Sequence, residues 1–361
     1  MNKLFSSNIL SLIGHAGRVG HGKRSFTLFL LKYSRHFRKS TKIREYYGKK
    51  GIHVPPVLIF SITHSCNLRC RGCYARARTP VNGNSLDSGK IRDIITEARD
   101  LGVSIILIAG GEPLVQPDII RIIGDFPSIV FPLFTNGTLV DDGILESFRK
   151  HRQIIPVISL EGPEIETDLR RGRGTFRSIN ALMKRMEERG LFFGASITLT
   201  KNNYGLLSDD DFIEDLVDAG CRIIFFIEYV PLEEGTENQC LTAEQQKRIT
   251  PALAVLREKF TSLFIALPGE EEQYGGCLAA GRGFIHISST GDLEPCPFAP
   301  YSDISLNDVT LKEGLKSVFL RTIRENHPML TESMGGCALW ENRNWVSSVL
   351  EKIRTGKEQE M

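Results

Sequence analysis

The sequence predicts an α/β fold, a parallel sheet arranged as a partial βα barrel, and three observations carry that expectation. Continuous apolar, β-branched runs alternate with helix-periodic segments from Val57 onward, the pattern of parallel strands buried under helices. Six such units follow one another, which suits a partial or open barrel. Chemistry-bearing side chains cluster directly after the strands, where ligands gather both in barrels and in the doubly wound open sheet that is the competing topology.

Ahead of the first strand, residues 1–50 form a basic arm. Leu28, Phe29, Leu30, Leu31 and Tyr33 stand among Lys23, Arg24, Lys32, Arg35, Arg38 and Lys39, which predicts one or two short basic amphipathic helices. Such a segment either lies on an anionic membrane surface, holds an acidic substrate, or docks on the main domain with its bases in water. Strands are expected over 57–63, 103–109, 129–135, 154–160, 192–199 and 222–229, and helices over 87–101, 117–125, 141–150, 175–189, 209–219 and 243–259. In the helix over 175–189, Phe176, Ile179, Leu182, Met183 and Met186 recur at three and four, leaving Lys184, Arg185, Glu187 and Glu188 outward. The divisions that follow are 1–50, a barrel over 51–260, a small cysteine-bearing part over 261–345 and a tail over 346–361.

Composition narrows the function classes. With 41% hydrophobic and 24% charged residues in 361, the chain has the usage of a globular protein, not of collagen, coiled coil or bulk disorder. Its net charge of +2 hides a head of +11 and a remainder of −9. No apolar run approaches the ~18 to 20 residues that span a bilayer, so no transmembrane helix is expected. A secretory signal over 1–16 is disfavoured by Ser6, Ser7, Asn8 and Ser11 and by the lack of a small-x-small cleavage site. Eight cysteines are too few for a disulfide scaffold of this size and point to metal or catalytic use in a reducing, cytoplasmic compartment, with contact to the inner membrane surface through residues 1–50 left open.

The loop after the first strand reads Cys66-Asn67-Leu68-Arg69-Cys70-Arg71-Gly72-Cys73-Tyr74. Three thiols in eight residues can converge on one centre, and thiolates suit zinc or iron–sulfur chemistry. His64 keeps a zinc tetrahedron open, whereas a three-thiolate iron–sulfur cluster would leave one iron free for a ligand that is not protein. Gly110-Gly111-Glu112-Pro113 follows the second strand, Thr135-Asn136-Gly137 the third, and Ser159-Leu160-Glu161-Gly162 ends the fourth.

Cys-x3-Cys-x2-Cys with a following aromatic residue, joined to that glycine segment and strand order, resembles the radical S-adenosylmethionine superfamily over roughly residues 55 to 230. The resemblance implies a TIM-like partial (βα)6 barrel in which Cys66, Cys70 and Cys73 hold a [4Fe-4S] cluster. Its open iron would chelate S-adenosylmethionine, whose reductive cleavage yields a 5′-deoxyadenosyl radical that abstracts hydrogen from substrate. It further implies that Gly110, Gly111, Glu112 and Pro113 receive the amino group of S-adenosylmethionine and that the backbone of Tyr74 lies near its adenine. Asn136 and Ser159 are ribose or carboxylate candidates, although strand-end side chains of this kind also satisfy local backbone groups. Arg171, in Arg170-Arg171-Gly172-Arg173-Gly174-Thr175-Phe176, would face a carboxylate or phosphate, with a solvated basic loop as the alternative. Asn203 and Glu228 match polar positions lining that barrel, and an acid inside an apolar strand must be paired or functional.

In the tail, Cys277, Cys296 and Cys337 lie in glycine- or proline-rich settings, with a strand over 284–288 and a Thr290-Gly291-Asp292 hairpin turn between the first two. By spacing alone they are too scattered for a zinc motif, and free cysteines are often buried small hydrophobes. Cys-x2-Ala-Gly, strand, Gly-Asp-x-x-Pro-Cys-Pro and a later Cys resemble the shortened auxiliary-cluster domain, of SPASM/twitch type, found in radical enzymes. That resemblance implies a small α+β iron–sulfur domain with one auxiliary cluster on Cys277, Cys296 and Cys337, a fourth ligand being Cys240, Cys221, another group or the substrate. Cys221 reads better as core.

The expectation is thus a radical enzyme, an oxidoreductase or peptide maturase, served by a ferredoxin or flavodoxin and acting on a peptide, lipid or small metabolite. No nucleic-acid partner is expected. The competing class is a zinc- or cluster-stabilised binding protein with a basic arm, which leaves the glycine segment unexplained. A radical methyltransferase is disfavoured for want of a cobalamin-binding domain.

Overall fold

The computed structural model describes residues 24–78, 85–268, 271–330 and 337–356; the readings made on residues 1–23 and on the last five residues fall outside it. The chain opens with one long helix, α1 (Arg24–Lys49), and then alternates: β1 (Val57–Ser61), α2 (Tyr74–Ala77), α3 (Ser88–Leu101), β2 (Ile105–Ala109), α4 (Ile119–Gly124), β3 (Phe131–Thr135), α5 (Asp142–Lys150) and β4 (Ile154–Leu160). It continues with α6 (Glu164–Arg171), α7 (Thr175–Glu188), β5 (Phe193–Leu199), α8 (Asp210–Asp218), β6 (Cys221–Glu228), α9 (Ala243–Lys259) and β7 (Leu263–Leu267). A hairpin, β8 (Phe284–Ile287) and β9 (Leu293–Glu294), precedes α10 (Leu311–Gly314), α11 (Val318–Glu325), α12 (Ala338–Glu341) and α13 (Arg343–Arg354).

Among the described residues nine strands form one sheet in the order β7-β6-β5-β4-β3-β2-β1-β8-β9. Strands β1 to β7 are laid down consecutively and pair in parallel, which excludes the doubly wound topology, and the sheet curls without closing on itself. Each predicted strand is present, with bounds that agree within two residues. Besides the short α2 and the tail helices α10 to α13, two elements are added to the barrel. Strand β7 continues the barrel beyond β6, and α6 stands between β4 and α7. The tail shares the sheet with the barrel, because β8 pairs in parallel with β1, Val57 opposite Phe284, while β9 returns antiparallel to β8.

Local chemistry accounts for the helix boundaries. The side chains of Asp87, Asp141 and Asp209 accept hydrogen bonds from the first-turn amides of α3, α5 and α8, and Thr242 with Gln245 closes a capping box on α9. In α7 the predicted stripe is realised: Ile179, Leu182, Met183 and Met186 are buried. Outward-facing strand residues such as Leu58, Phe60, Ile106, Ile108 and Phe226 join these helices in the main core.

The inward faces form a second core, and α1 supplies its floor. Leu30, Tyr33 and Phe37 pack with Val130, Ile155, Val157, Phe192, Ile223, Phe225 and Leu263. The Tyr33 hydroxyl donates to the Ser104 carbonyl at 2.8 Å, and the Arg44 guanidinium donates to the Gly102 carbonyl and to Ser104 Oγ at 2.5 and 2.8 Å. Arg44 also lies over the Phe37 ring at 5.4 Å. Residues 24–49 are therefore a docked helix, with Lys32, Arg35, Arg38, Lys39 and Lys42 exposed on its far side. Among the described residues no helix is long and apolar enough to cross a membrane.

Two consequences are measurable. Phe37→Ala removes a fully buried aromatic from the floor and is expected to cost about 3–5 kcal/mol in denaturant unfolding. Cys221 is wholly buried beside Met183, and burial pushes its thiol up to about 12, so in the native protein it should resist alkylation at pH 8 that modifies exposed Cys66, reacting only after denaturation.

Candidate functional site

A cavity of about 1070 Å³ occupies the bore of the curled sheet. It is lined by Cys66, Cys70, Cys73, Glu112, Asn136, Ser159 and Arg171 on the loops and strand ends at its mouth, and also by Cys277, Cys296 and Cys337 beside the β8–β9 hairpin. Residues from every part of the chain that carried a chemical expectation are thus brought to one space. Pro113, which is buried and starts a short turn, lies outside the lining, as do His64, Asn203, Cys221 and Cys240.

The cysteine loop leaves β1 and rests on the glycine segment. Gly111 N donates to the Thr63 carbonyl at 2.7 Å and Glu112 N to the Ser65 carbonyl at 2.9 Å. Gly110 has φ 131°, and a Cβ on Gly110 or Gly111 would collide with those same carbonyls. The glycines are required first by this contact between two loops.

Glu112 is buried and ties β2 to β3. One carboxylate oxygen accepts from Leu114 N and Thr135 Oγ1, at 3.1 and 2.7 Å, and the other from Asn136 N at 2.7 Å. Burial raises its pKa, and these three donors oppose the rise. Asn136 passes the linkage on: its side-chain amide donates to Asn67 Oδ1 at 2.8 Å and approaches Cys66 Sγ at 4.0 Å. Ser159 accepts from Ser196 at 3.3 Å.

Arg170 and Arg171 do not form a solvated loop. They end α6, where Arg170 Nη1 and Arg171 Nη2 grip the two oxygens of buried Glu161 at 2.7 and 2.5 Å. Arg170 is also laced to the cysteine loop, donating to the Arg71 carbonyl at 3.0 Å while its own carbonyl accepts from Arg71 N at 3.0 Å. Arg171 Nε is buried in the cavity wall without a protein partner. Asn203 stays structural, its amide donating to the Glu161 and Thr198 carbonyls, whereas Glu228 lines the cavity and accepts from Gln246 at 3.2 Å.

The tail thiols converge although they are sixty residues apart in sequence. Cys296 shares a hydrogen bond with Cys337 and lies close to Cys277; burial, then the Cys337 thiol, push its pKa well up. Arg282 donates to the carbonyls of Tyr274, Gly276 and Cys277, holding that loop against β8. Cys240 lies near Glu237 and Glu228 instead, outside the cavity lining, and His64 turns to Ser85 Oγ at 3.0 Å. Among the described residues no three His, Cys, Asp or Glu side chains are gathered tightly enough for a single ion.

Sequence reasoning missed the link between the triads. Tyr74, next to Cys73, stacks edge-on against Phe298 at 5.5 Å and hydrogen-bonds Ser61. Ser61 meets His286 at 2.8 Å, His286 meets Glu294 at 2.6 Å, and Glu294 pairs with Arg78 at the end of α2. The wide separation of these partners hides them from spacing arguments; the one signal is the period-two placement of His286 and Glu294 on facing positions of a predicted hairpin.

Comparison with known proteins agrees with this geometry. Residues 60–218 match the radical SAM superfamily model. An AdoMet-dependent heme synthase of Methanosarcina barkeri is 26% identical over 276 residues, covering 69% of this chain and 78% of its own. The mycofactocin maturase MftC of Mycobacterium tuberculosis is 26% identical over 314 residues, covering 81% and 78%. Among solved structures, Streptococcus suis SuiB bound to S-adenosylmethionine superposes with a TM-score of 0.64 at 19% identity, over 78% of this chain and 69% of that one, which speaks for the fold. The open, mostly parallel sheet, the thiol-bearing loop after its first strand and the glycine segment after its second lie together within or beside the region, residues 60–218, that is similar to the radical SAM superfamily.

Proposed function

We propose that the protein cleaves S-adenosylmethionine reductively at a [4Fe-4S] cluster on Cys66, Cys70 and Cys73 and abstracts hydrogen from a substrate held in the bore, with a second cluster on Cys277, Cys296 and Cys337. The observation that carries this reading is that both thiol triads line one cavity together with Glu112, Asn136, Ser159 and Arg171. The donor set suits the group, because three thiolates leave a cluster iron for a non-protein ligand. When bound, the cluster and S-adenosylmethionine supply one electron, delivered by a donor of ferredoxin or flavodoxin type, and a carbon radical.

The protein's own share is binding, orientation and exclusion of water. Three of the roughly four acceptor positions of Glu112 are used locally, so its Oε2 retains room for an ammonium donor. The spare Arg171 Nε–H suits a carboxylate, and its guanidinium is held in place by Glu161. Ser159 and Asn136 present polar groups to the same space, and the backbone of Gly110 and Gly111 forms the wall beside Glu112. Tyr74, fixed by Phe298 and Ser61, orients the segment that follows Cys73.

Anaerobic reconstitution tests this. About eight iron per chain are expected in the parent and about four when Cys66, Cys70 and Cys73 are all changed to Ala, with 5′-deoxyadenosine formed by the parent alone. Zinc in place of iron, or no nucleoside under strong reductant, overturns the reading; four iron in the parent and none in the variant removes the second cluster. Glu112→Gln should keep its iron and bind S-adenosylmethionine at least tenfold more weakly by equilibrium dialysis.

A further inference from the structure

The lower half of the bore under β4 to β7, across from the tail thiols beside β8, is assigned to nothing above, and its chemistry differs from that of the mouth. Inward positions grade downward from polar to apolar: Ser159 stands above Ile155 along β4, and Thr198 and Ser196 above Phe192 at β5. At the floor, Phe29, Leu30 and Tyr33 close the space, and the Tyr33 hydroxyl is already spent on the Ser104 carbonyl. Strand-borne walls at this depth carry no charged side chain. A peptide lodged there would leave its amides without partners, and the cations at the cavity's side, Arg257 and Lys259 at the end of α9, are engaged by the Phe264 carbonyl and Asp210; a hydrocarbon chain needs neither. An apolar space of this kind excludes water and takes an apolar occupant.

The outer surface of the same floor indicates where such an occupant comes from. Directly beside Phe29 and Leu30, Leu28 and Leu31 point outward at 68% and 59% exposure. Lys32, Arg35, Arg38, Lys39 and Lys42 continue that exposed face. Bases flanking exposed leucines on a helix parallel to a surface are the pattern of an interfacial helix on anionic lipid. The bore is also open at its side, since β7 is an edge strand and Phe260 to Ser262, just before it, line the cavity.

We infer that the substrate is an anionic membrane lipid, its hydrocarbon chain filling the lower bore and its reacting carbon at the polar mouth, with the outward face of α1 seating the protein on the lipid surface. This rests on reading the mouth as a radical S-adenosylmethionine site.

The test uses the reconstituted full chain. It should sediment with vesicles of equal parts phosphatidylglycerol and phosphatidylcholine at least tenfold better than with phosphatidylcholine alone, and Lys32→Glu with Arg35→Glu, both on exposed positions, should abolish the difference. The fluorescent fatty acid cis-parinaric acid should brighten on binding, and Ile155→Trp, which fills the lower bore, should weaken its uptake at least tenfold. Uptake without preference for anionic vesicles overturns the membrane origin, and vesicle binding without uptake overturns the bore as the site. Loss of both with 5′-deoxyadenosine still formed sinks the lipid reading alone, whereas lipid binding with no nucleoside sinks the enzyme reading and the substrate assignment with it.

Discussion

Seven parallel strands bury their outer face under helices in the ordinary way, but a sheet that curls without closing has no opposing strands to fill its interior. A closed eight-stranded barrel packs its bore with interdigitated side chains. Here the inner faces of β1 to β7 stand far enough apart to leave about 1070 Å³, so both ends of the bore must be finished by other elements. The amino-terminal end is finished by α1, whose Tyr33 and Arg44 are bonded to the turn before β2 and whose Phe37 is buried with the inward residues. The carboxyl-terminal end is finished by loops, among them the one that carries Cys66, Cys70 and Cys73.

Loops cannot hold a reactive constellation unless they are braced, and three buried carboxylates brace these. Each desolvated acid would be costly alone, and each is met by donors from another segment of the chain. Glu112 joins the glycine segment to the Thr135–Asn136 turn and, through Asn136, to Asn67 and Cys66. Glu161 gathers Arg170 and Arg171, and Arg170 clasps the middle of the cysteine loop through Arg71. Glu294 joins Arg78, just past that loop, to His286 and hence to Ser61 on β1. The same three contacts that offset the desolvation of the acids fix the positions of the thiols.

Much of this was legible in the sequence because it rests on local periodicity and short motifs. Apolar runs gave the six strands with errors of a few residues, and the stripe in α7 is a core face as its spacing implies. Elements without such a pattern were invisible. Helix α6 exposes Ile165 and Leu169 and buries only Thr167, so it has no apolar stripe; its remaining signal is acidic residues in the first turn and arginines in the last, which complement the helix dipole. Strand β7 is five apolar residues directly after a long helix, a length at which strand and helix cannot be told apart by period. The partners of Glu161 lie nine and ten residues away and that of Glu294 lies 216 away, so only the fold reveals that these acids are paired.

The pairing of β8 with β1 has a consequence for the relation between the two triads. Because β8 hydrogen-bonds directly to the strand that launches the Cys66–Cys73 loop, the hairpin bearing Cys296 cannot shift relative to that loop without breaking the sheet. Tyr74 against Phe298 and Arg78 on Glu294 add side-chain ties across the same gap. Cys277 enters from a turn clamped by Arg282, and Cys337 from the start of α12, so the tail triad is assembled from three segments around an edge of the barrel sheet. Its placement is therefore inherited from the barrel, and two centres built on these thiols would keep one fixed separation while substrate occupies the bore between the loops and α1.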